Sequence, residues 1–486
     1  MSIIATHFPA LQILIPLAGA LFTALSFNRF ISWIIAVISA FLSLTLSVYV
    51  FQLTTTSAIF YAFGDWPAPV GIEYRLDHLN QPIIVFINAV LLFFLVFGKE
   101  LINSTITNYI EYGKQHIFYS LLLFAHVGYL GVISTNDLFN IYVFIEISSL
   151  ATYVLMSKGK SPKSLIGAFD YLVMGTIGAT LILIGIGFLF ALTGSLNISD
   201  VANILHNSNN LRLVITAVAF FMTGAILKMA FFPMHFWMIR AYSSTAPFVL
   251  TYLAAISSIL GVYIILRFIH FTIDNEAILT SLSSVLRPVA MLTIAICTFL
   301  ALKARDFKKV IIYSTASQIG YIFLLITVLA ARQLLFQLLI IDAINKIALF
   351  TVVAHIQNKK EDLSFTNFAH IEKSLLFKTL VAFIFLFSAG LPITSMFLIK
   401  INMFDLLISK HLILEFIVVV LGSVLGLLYH LRLAKAVFFS PTHNQAIRIE
   451  TKLYGLVAIV LIQIASLIYM NNIAMLASYT ESFIVN

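Results

Sequence analysis

Charge is the scarcest property of this sequence. Only 10% of its 486 residues are Asp, Glu, Lys or Arg, while 61% are hydrophobic. Soluble domains carry about 25% charged and about 45–50% apolar residues. A water-facing surface cannot be built from so few charges, so lipid must be the solvent for most of the chain. Cysteine is nearly absent as well. Cys297 stands alone in an apolar run, which excludes a disulfide framework and a thiolate metal site and reads as a small buried hydrophobe. No Lys or Arg precedes Arg29. The first apolar run therefore lacks the basic start of a cleaved signal peptide, and its helix is expected to stay. There is no phosphate loop or dinucleotide fingerprint and no His/Cys/carboxylate spacing for a metal. Spacing suggests no nucleophile–base pair either. No catalytic residue, no metal ligand and no cofactor is expected.

What the sequence does have is long apolar runs. A crossing helix needs about 20 mostly apolar residues, and about 14 runs qualify. They lie near 3–24, 30–52, 79–98, 115–133, 137–157, 165–191, 212–238, 245–270, 286–303, 309–331, 333–356, 376–400, 412–436 and 452–475. The net charge of +8 would suit nucleic acid, but most charges sit in short loops between runs, so no nucleic acid is expected. With the N-terminus outside, inward loops and helix ends collect about 19 of the 28 basic residues and outward ones about six. Arg267 counts on the outward side and Lys308 among the inward loops and nearby helix ends. Both termini then face outside, and an even number of spans fits the bias. The loop near 53–78, with Gly64-Asp65-Trp66-Pro67, predicts a short β-hairpin. The loop near 357–375 predicts an amphipathic surface segment.

Four ionisable residues inside spans stand out: Glu146, Lys228, Lys346 and Lys400. A charge at mid-membrane costs at least about 2.5–3.5 kcal/mol, so a partner charge, water or proton loss must offset it. Burial favours the uncharged form of such groups, and a row of them joined by water is a proton path. A single buried ion pair would do no more than lock helices together. Three lysines and a glutamate at similar depth in separate helices favour transport. Asp342 lies four residues before Lys346, on the same helix face, where the two can pair. His235 lies beside the same proline as Lys228. His78, next to Asp77, reads as an interfacial residue, and His126 and His430 as lone helix histidines.

Two of these helices are broken by proline. Pro233 follows Lys228, and Pro392 precedes Lys400. Proline frees a carbonyl, which lipid tolerates only where protein or a wet cavity satisfies it. Transporters place ion sites beside such breaks in corresponding helices of inverted repeats. The expected fold is an all-α polytopic membrane protein with two inverted five-helix repeats, spans 4–8 and 9–13, and broken helices 7 and 12. The chain 1–486 reads as a single membrane domain: N-terminal helices 1–114, first repeat 115–271, second repeat 286–437 and a C-terminal helix 452–475.

These motifs resemble the antiporter-like subunits shared by Mrp-type cation/proton antiporters and respiratory complex I. Asn136-Asp-Leu-Phe-Asn-Ile-Tyr-Val-Phe-Ile-Glu146 looks like the family's glutamate helix. Lys228-Met-Ala-Phe-Phe-Pro-Met-His235-Phe-Trp resembles its seventh-helix lysine motif. Asp306-Phe-Lys-Lys-Val-Ile-Ile-Tyr-Ser-Thr-Ala-Ser-Gln-Ile-Gly320 is similar to its ninth-to-tenth segment. Asn345-Lys346-Ile-Ala-Leu-Phe350 and Ala389 to Lys400 match its eleventh- and twelfth-helix patterns. The resemblance covers nearly the whole chain, with five motifs in the right order, and the stretch from Gly64 to Asp77 is most similar to the D-type subunits of Mrp antiporters. The resemblance implies a subunit of a hetero-oligomeric sodium/proton antiporter in the cell (inner) membrane, alongside other hydrophobic antiporter subunits. Its ligands would be protons and monovalent cations. Glu146 and Lys228 would couple charge in the first half-channel, and Lys346 and Lys400 would serve the central path and the second.

Three positions depart from the family pattern. Ile259 stands where an eighth-helix Lys or His is usual, Asp170 where a sixth-helix Lys is usual, and Asp342 where a His is usual. Isoleucine cannot carry a proton, so water, Ser257 or Ser258 must bridge there, or the first half-channel is altered. The same resemblance allows a proton-pumping membrane subunit of a redox-driven, complex I-like assembly. A non-conducting structural paralogue is the third reading, and Ile259 and Asp170 favour it.

Overall fold

Backbone in lipid must satisfy its own polar groups, and helices do so within one segment. The structure, a computed structural model, is accordingly mostly helical. It describes residues 7–468 except 56, 160–161, 207–209, 270–272, 274–275, 329–330, 358–362, 366–370, 373, 439–446 and 449–452. Among these residues eleven helices are long and apolar enough to cross a membrane, or twelve if the bent pair Gln81–Phe97 and Lys99–Tyr109 counts as one span. Leu375–Ala389 and Tyr454–Ile468 are apolar but shorter. Every expected run carries helix, and the last is described only as far as Ile468. Most of the amphipathic segment expected at 357–375 lies outside the described residues, as do Lys160, Lys359, Lys360, Lys373 and Lys452 among the loop charges.

The chain packs as two compact units. The first comprises the described residues of Met1–Lys99, Ile106–Met229 and Ile259–Leu282. It carries α1 (Phe8–Leu25), α2 (Arg29–Thr54), the strands β1 (Ile59–Ala62) and β2 (Glu73–Leu76), and α3 (Gln81–Phe97). After α4 (Lys99–Tyr109) come α5 (Ile117–Ser134), α6 (Leu138–Ser157), α7 (Pro162–Thr193), α8 (Ile198–His206) and α9 (Leu211–Lys228). The expected hairpin is present: β1 and β2 pair antiparallel, with Ile59 opposite Leu76 and Ala62 opposite Glu73. Helices in an apolar medium associate through close packing at small residues. On α7 and α9, Gly178 and Gly224 bring the two backbones so close that a Cβ at either would meet the other's carbonyl oxygen.

The second unit comprises the described residues of Glu100–Thr105, Ala230–Ser258 and Ser283–Asn486. It carries α10 (Phe236–Ser244) and the first part of α11 (Pro247–Phe268). Most of α12 (Glu276–Lys303) follows, then α13 (Phe307–Ile326), α14 (Arg332–Gln357), α15 (Leu375–Ala389), α16 (Ser395–Ser409), α17 (Ile413–Phe438) and α18 (Tyr454–Ile468). Here α14 packs on α13, α16 and α18, and α15 packs on α17.

Burial separates some of these charges from the solvated loops. Arg267, counted on the outward side, is fully buried at the end of α11. His78 and Asp77 are buried too. The reason is a polar lock. Arg267 Nη1 donates to Asp77 Oδ2 at 2.9 Å, and Arg75 Nε lies 3.0 Å from the same oxygen. The amides of Leu79 and Asn80 donate to Asp77 Oδ1. Arg267 Nη2 reaches Asn136 Oδ1 at 3.4 Å, and the Tyr263 hydroxyl donates to the Ile133 carbonyl at 2.7 Å. One carboxylate thus joins the hairpin, the entry to α3 and the end of α11, and Arg267 and Tyr263 carry the contact on to the α5–α6 turn.

Burial alone would raise the Asp77 carboxyl, but Arg267, Arg75 and the hydrogen bonds hold it below the usual carboxylate range. A depressed folded value means that the stabilisation is complete above the unfolded value of about 3.9 and is lost as pH falls through the folded one. Asp77→Ala is expected to destabilise the first unit by about 3–5 kcal/mol, the scale of a buried charge stripped of its partner. Asp77→Asn should lower the thermal midpoint of the detergent-solubilised protein at neutral pH and flatten its fall on acidification. A midpoint and acid limb unchanged in both variants would refute the lock.

Candidate functional site

Lys228 is the last residue of α9, and its ammonium sits at the negative end of that helix. The Met229 amide closes the helix by donating to the Ala225 carbonyl, and the chain leaves helical geometry until Phe236. Pro233 lies in this break, where its missing N–H costs no helical bond. Glu146 lies midway along α6, whose first turn is capped by Asp137 accepting from the Asn140 amide at 2.7 Å. Lys228 Nζ donates to Ser149 Oγ at 3.0 Å and lies 3.9 Å from Glu146 Oε1. Glu146 and Ser149 are three residues apart, so they share one face. The pair is a charge contact without a hydrogen bond, and 18% of the Lys228 side chain is accessible. Gly178 of α7 makes room for the aliphatic stem of Lys228. Asp170 is half-buried on the same α7. Ser149 was not among the expected site residues, and only its helical phase relative to Glu146 marks it.

The second unit holds the other expected residues. Asp342 and Lys346 pair along α14 at 2.5 Å, both side chains only 3% exposed. Lys346 Nζ also donates to Ser258 Oγ at 3.0 Å. Ser258 immediately precedes Ile259, so a hydroxyl next to the departing position does reach a lysine of the set. Ser257 meets the Tyr242 hydroxyl instead, at 3.4 Å. His235 is buried at the start of α10, its ring stacked on Phe236. Pro233 and His235 belong to this unit and Lys228 to the first.

Lys400 lies one and a half turns into α16. The preceding helix, α15, ends at Gly390, whose φ of 75° is the left-handed conformation that glycine adopts without penalty. Pro392 follows, and Thr394 caps α16 by accepting from the Phe397 amide. Lys400 Nζ crosses this break to donate to the Ala389 carbonyl at 3.4 Å, with the Tyr321 ring 6.0 Å away. Among the described residues no carboxylate pairs with it. Tyr429 lies within electrostatic reach of both Tyr321 and Asp342.

A further lysine is buried. Lys308, counted with the inward loops and helix ends, lies at the start of α13 and is 3% exposed. Its Nζ donates to the carbonyls of Ser243 and Thr245 at 3.0 Å each and to Gln357 Oε1 at 3.2 Å. It therefore satisfies the open C-terminal carbonyls of α10. The neighbouring Lys309 gives no sign of the difference in sequence; the helical phase set by the Asp306 cap turns Lys308 inward.

The site can be compared with known proteins. A family model described as NADH:quinone oxidoreductase/Mrp antiporter, TM matches residues 135–426. That stretch contains Glu146, Lys228, Lys346 and Lys400. The chain is 34% identical over 322 residues to NADH-quinone oxidoreductase subunit N of Desulforudis audaxviator, covering 65% of this chain and 63% of that one. It is 31% identical over 262 residues to the putative antiporter subunit mnhD2 of Staphylococcus saprophyticus, covering 54% and 50%. The chain thus spans less than two thirds of the length of either relative. Among solved structures, a chain of the archaeal membrane-bound sulfane sulfur reductase superposes with a TM-score of 0.88 at 22% identity, over 98% of both chains. A chain of the Mrp complex from Dietzia sp. gives 0.86 at 18% identity, over 99% and 97%. Respiratory complex I from Thermus thermophilus gives 0.80 at 18% identity, over 98% and 99%. By the family model, the chain belongs to the NADH:quinone oxidoreductase/Mrp antiporter transmembrane family.

Proposed function

We propose that this chain is a proton-translocating subunit of a multi-subunit antiporter that exchanges sodium or another monovalent cation for protons. In this reading it sits in a bacterial cell membrane with both termini outside, beside other hydrophobic subunits. Counting each broken helix as one span, together with α3 and α18, gives 14. Two inverted five-helix repeats then run from α5 to α11 and from α12 to α17, each with its fourth span broken. The whole chain forms one membrane domain.

The observation that carries the reading is the loose Lys228–Glu146 pair at a helix break. Two unit charges about 4 Å apart at an effective dielectric constant of about 20 attract by about 4 kcal/mol. One charge crossing a membrane potential gains about 2.3 kcal/mol per 100 mV. The two energies are of one order, so an ion gradient can open a pair of this kind and its return can close it. Opening releases Glu146 to take a proton and leaves Lys228 to pass one on. Lys346 is held by Asp342 in an unbroken helix and would relay rather than release. Lys400, which among the described residues donates to a carbonyl across its break and pairs with no carboxylate, would be the other exchange point. Asp170 and His235 are assigned auxiliary places along the path.

The named similarity to an NADH-quinone oxidoreductase subunit N favours a second reading, a pumping subunit of a redox-driven complex. Purification of the tagged chain from its native membrane, with partners identified by mass, separates the two. Flavin and iron–sulfur proteins in the preparation would favour the redox-driven complex.

Sodium pulses applied to native-membrane vesicles should drive proton movement in the opposite direction. Lys228→Ala and Glu146→Gln are each expected to lower it on the order of 100-fold, as for a lost proton-transfer group, with the amount of assembled complex unchanged. Undiminished exchange in both variants would mark the chain as a non-conducting scaffold. Lys400→Ala is expected to lower exchange by a similar factor. Full activity in that variant alone would remove the second exchange point from the path.

A further inference from the structure

The last helix, α18, is apolar along its length except for Tyr454 at its start and two residues near its end, Gln463 and Ser466. Both are buried, and Gln463 is only 1% exposed. They are three residues apart and so lie on one face. Polar groups inside a membrane protein are expensive and turn toward partners or water. Gln463 Nε2 donates to Asn345 Oδ1 at 2.9 Å, and Asn345 precedes Lys346 on α14. Ser466 Oγ donates to the Gln463 carbonyl at 2.6 Å and lies 3.2 Å from Ser395 Oγ. Ser395 opens α16, the helix that carries Lys400. A ladder of neutral polar groups therefore runs from the neighbour of Lys346, through α18, to the helix of Lys400.

The ladder is not saturated by protein. Asn345 Nδ2 and Gln463 Oε1 are buried and meet no protein partner among the described residues. The same holds at the Lys400 end for Ser388 Oγ, next to the carbonyl that Lys400 contacts, and for His430 Nε2. Buried amide and hydroxyl groups are almost always hydrogen-bonded, and buried water is the usual partner where protein supplies none. Interhelical glue alone would use both bonds the two amides can exchange, whereas one is made and Asn345 Nδ2 and Gln463 Oε1 are left over.

We propose that Asn345, Gln463, Ser466 and Ser395 form a water-bearing link between Lys346 and Lys400, with Gln463 and Ser466 as positioning residues that order the water. The proposal rests on the reading of those two lysines as proton carriers. A proton entering at one end displaces another at the far end, so no charge stays on the ladder.

The test uses the full chain with its partners in native membranes. Ser466→Cys and, as a dry control, the buried neighbour Ile459→Cys are made in a Cys297→Ala background. Each is exposed to silver ion, and the thiol left free is counted by mass after denaturation. Thiols react as thiolates, which form where water reaches. Blocking of Ser466→Cys at least about tenfold faster than Ile459→Cys is expected; equal, slow blocking would overturn the link. Ser395→Cys takes its place if Ser466→Cys fails to assemble. Gln463→Leu should lower sodium-driven proton movement by about 10- to 100-fold, the scale of lost positioning, at unchanged assembly. Gln463→Glu should restore it with a shifted pH profile. Full movement in Gln463→Leu would overturn the proposal. Wild-type membranes without exchange would sink the parent reading, and the silver result would still decide whether the ladder is wet.

Discussion

An ammonium group taken out of water has to be met by oxygen, and the fold is arranged around how four lysines meet it. Lys346 has a carboxylate at 2.5 Å. Lys228 has one at 3.9 Å and a serine hydroxyl nearer. Among the described residues, Lys308 meets three neutral oxygens and Lys400 one carbonyl, at 3.4 Å. The tight pair lies in an uninterrupted helix, and the two loose lysines lie at helix breaks. A break supplies what a straight helix cannot: open carbonyls that accept from an ammonium without neutralising it. Of the three lysines in the proposed path, the one in an uninterrupted helix is the one paired tightly.

Much of the fold was legible because the bilayer imposes it. Length and apolarity located each helical run, the two prolines located the breaks, and Gly64-Asp65-Trp66-Pro67 located the hairpin. Pairing could not be read the same way. Arg267 at the end of an apolar run looks like an ordinary loop charge until Asp77, nearly two hundred residues away, is found beside it. Lys308 and Lys309 are indistinguishable by type, and a cap sets which of them turns inward. Long-range partners of this kind leave no local pattern, and the burial of Asp77 and His78 could not be read from their place beside an apolar run.

The candidate site was legible in its charges and not in its neutral groups. Glu146, Lys228, Lys346 and Lys400 stand out because charge inside a span is costly. The i, i+4 relation of Asp342 and Lys346 predicted their contact. Ser149, Ser258, Asn345 and Gln463 carry no such signal, since membrane helices use hydroxyls and amides freely. Ser258 shows what composition hides: the position after it, Ile259, cannot carry a proton, yet the serine itself reaches Lys346.

The central claim is that an ion gradient, and no electron transfer, moves protons through this chain. The most direct measurement is proton movement after a sodium jump in vesicles reconstituted with the purified complex, with no electron donor added. The account predicts prompt proton movement opposite to the cation. Proton movement that appears only when an electron donor is supplied would contradict it.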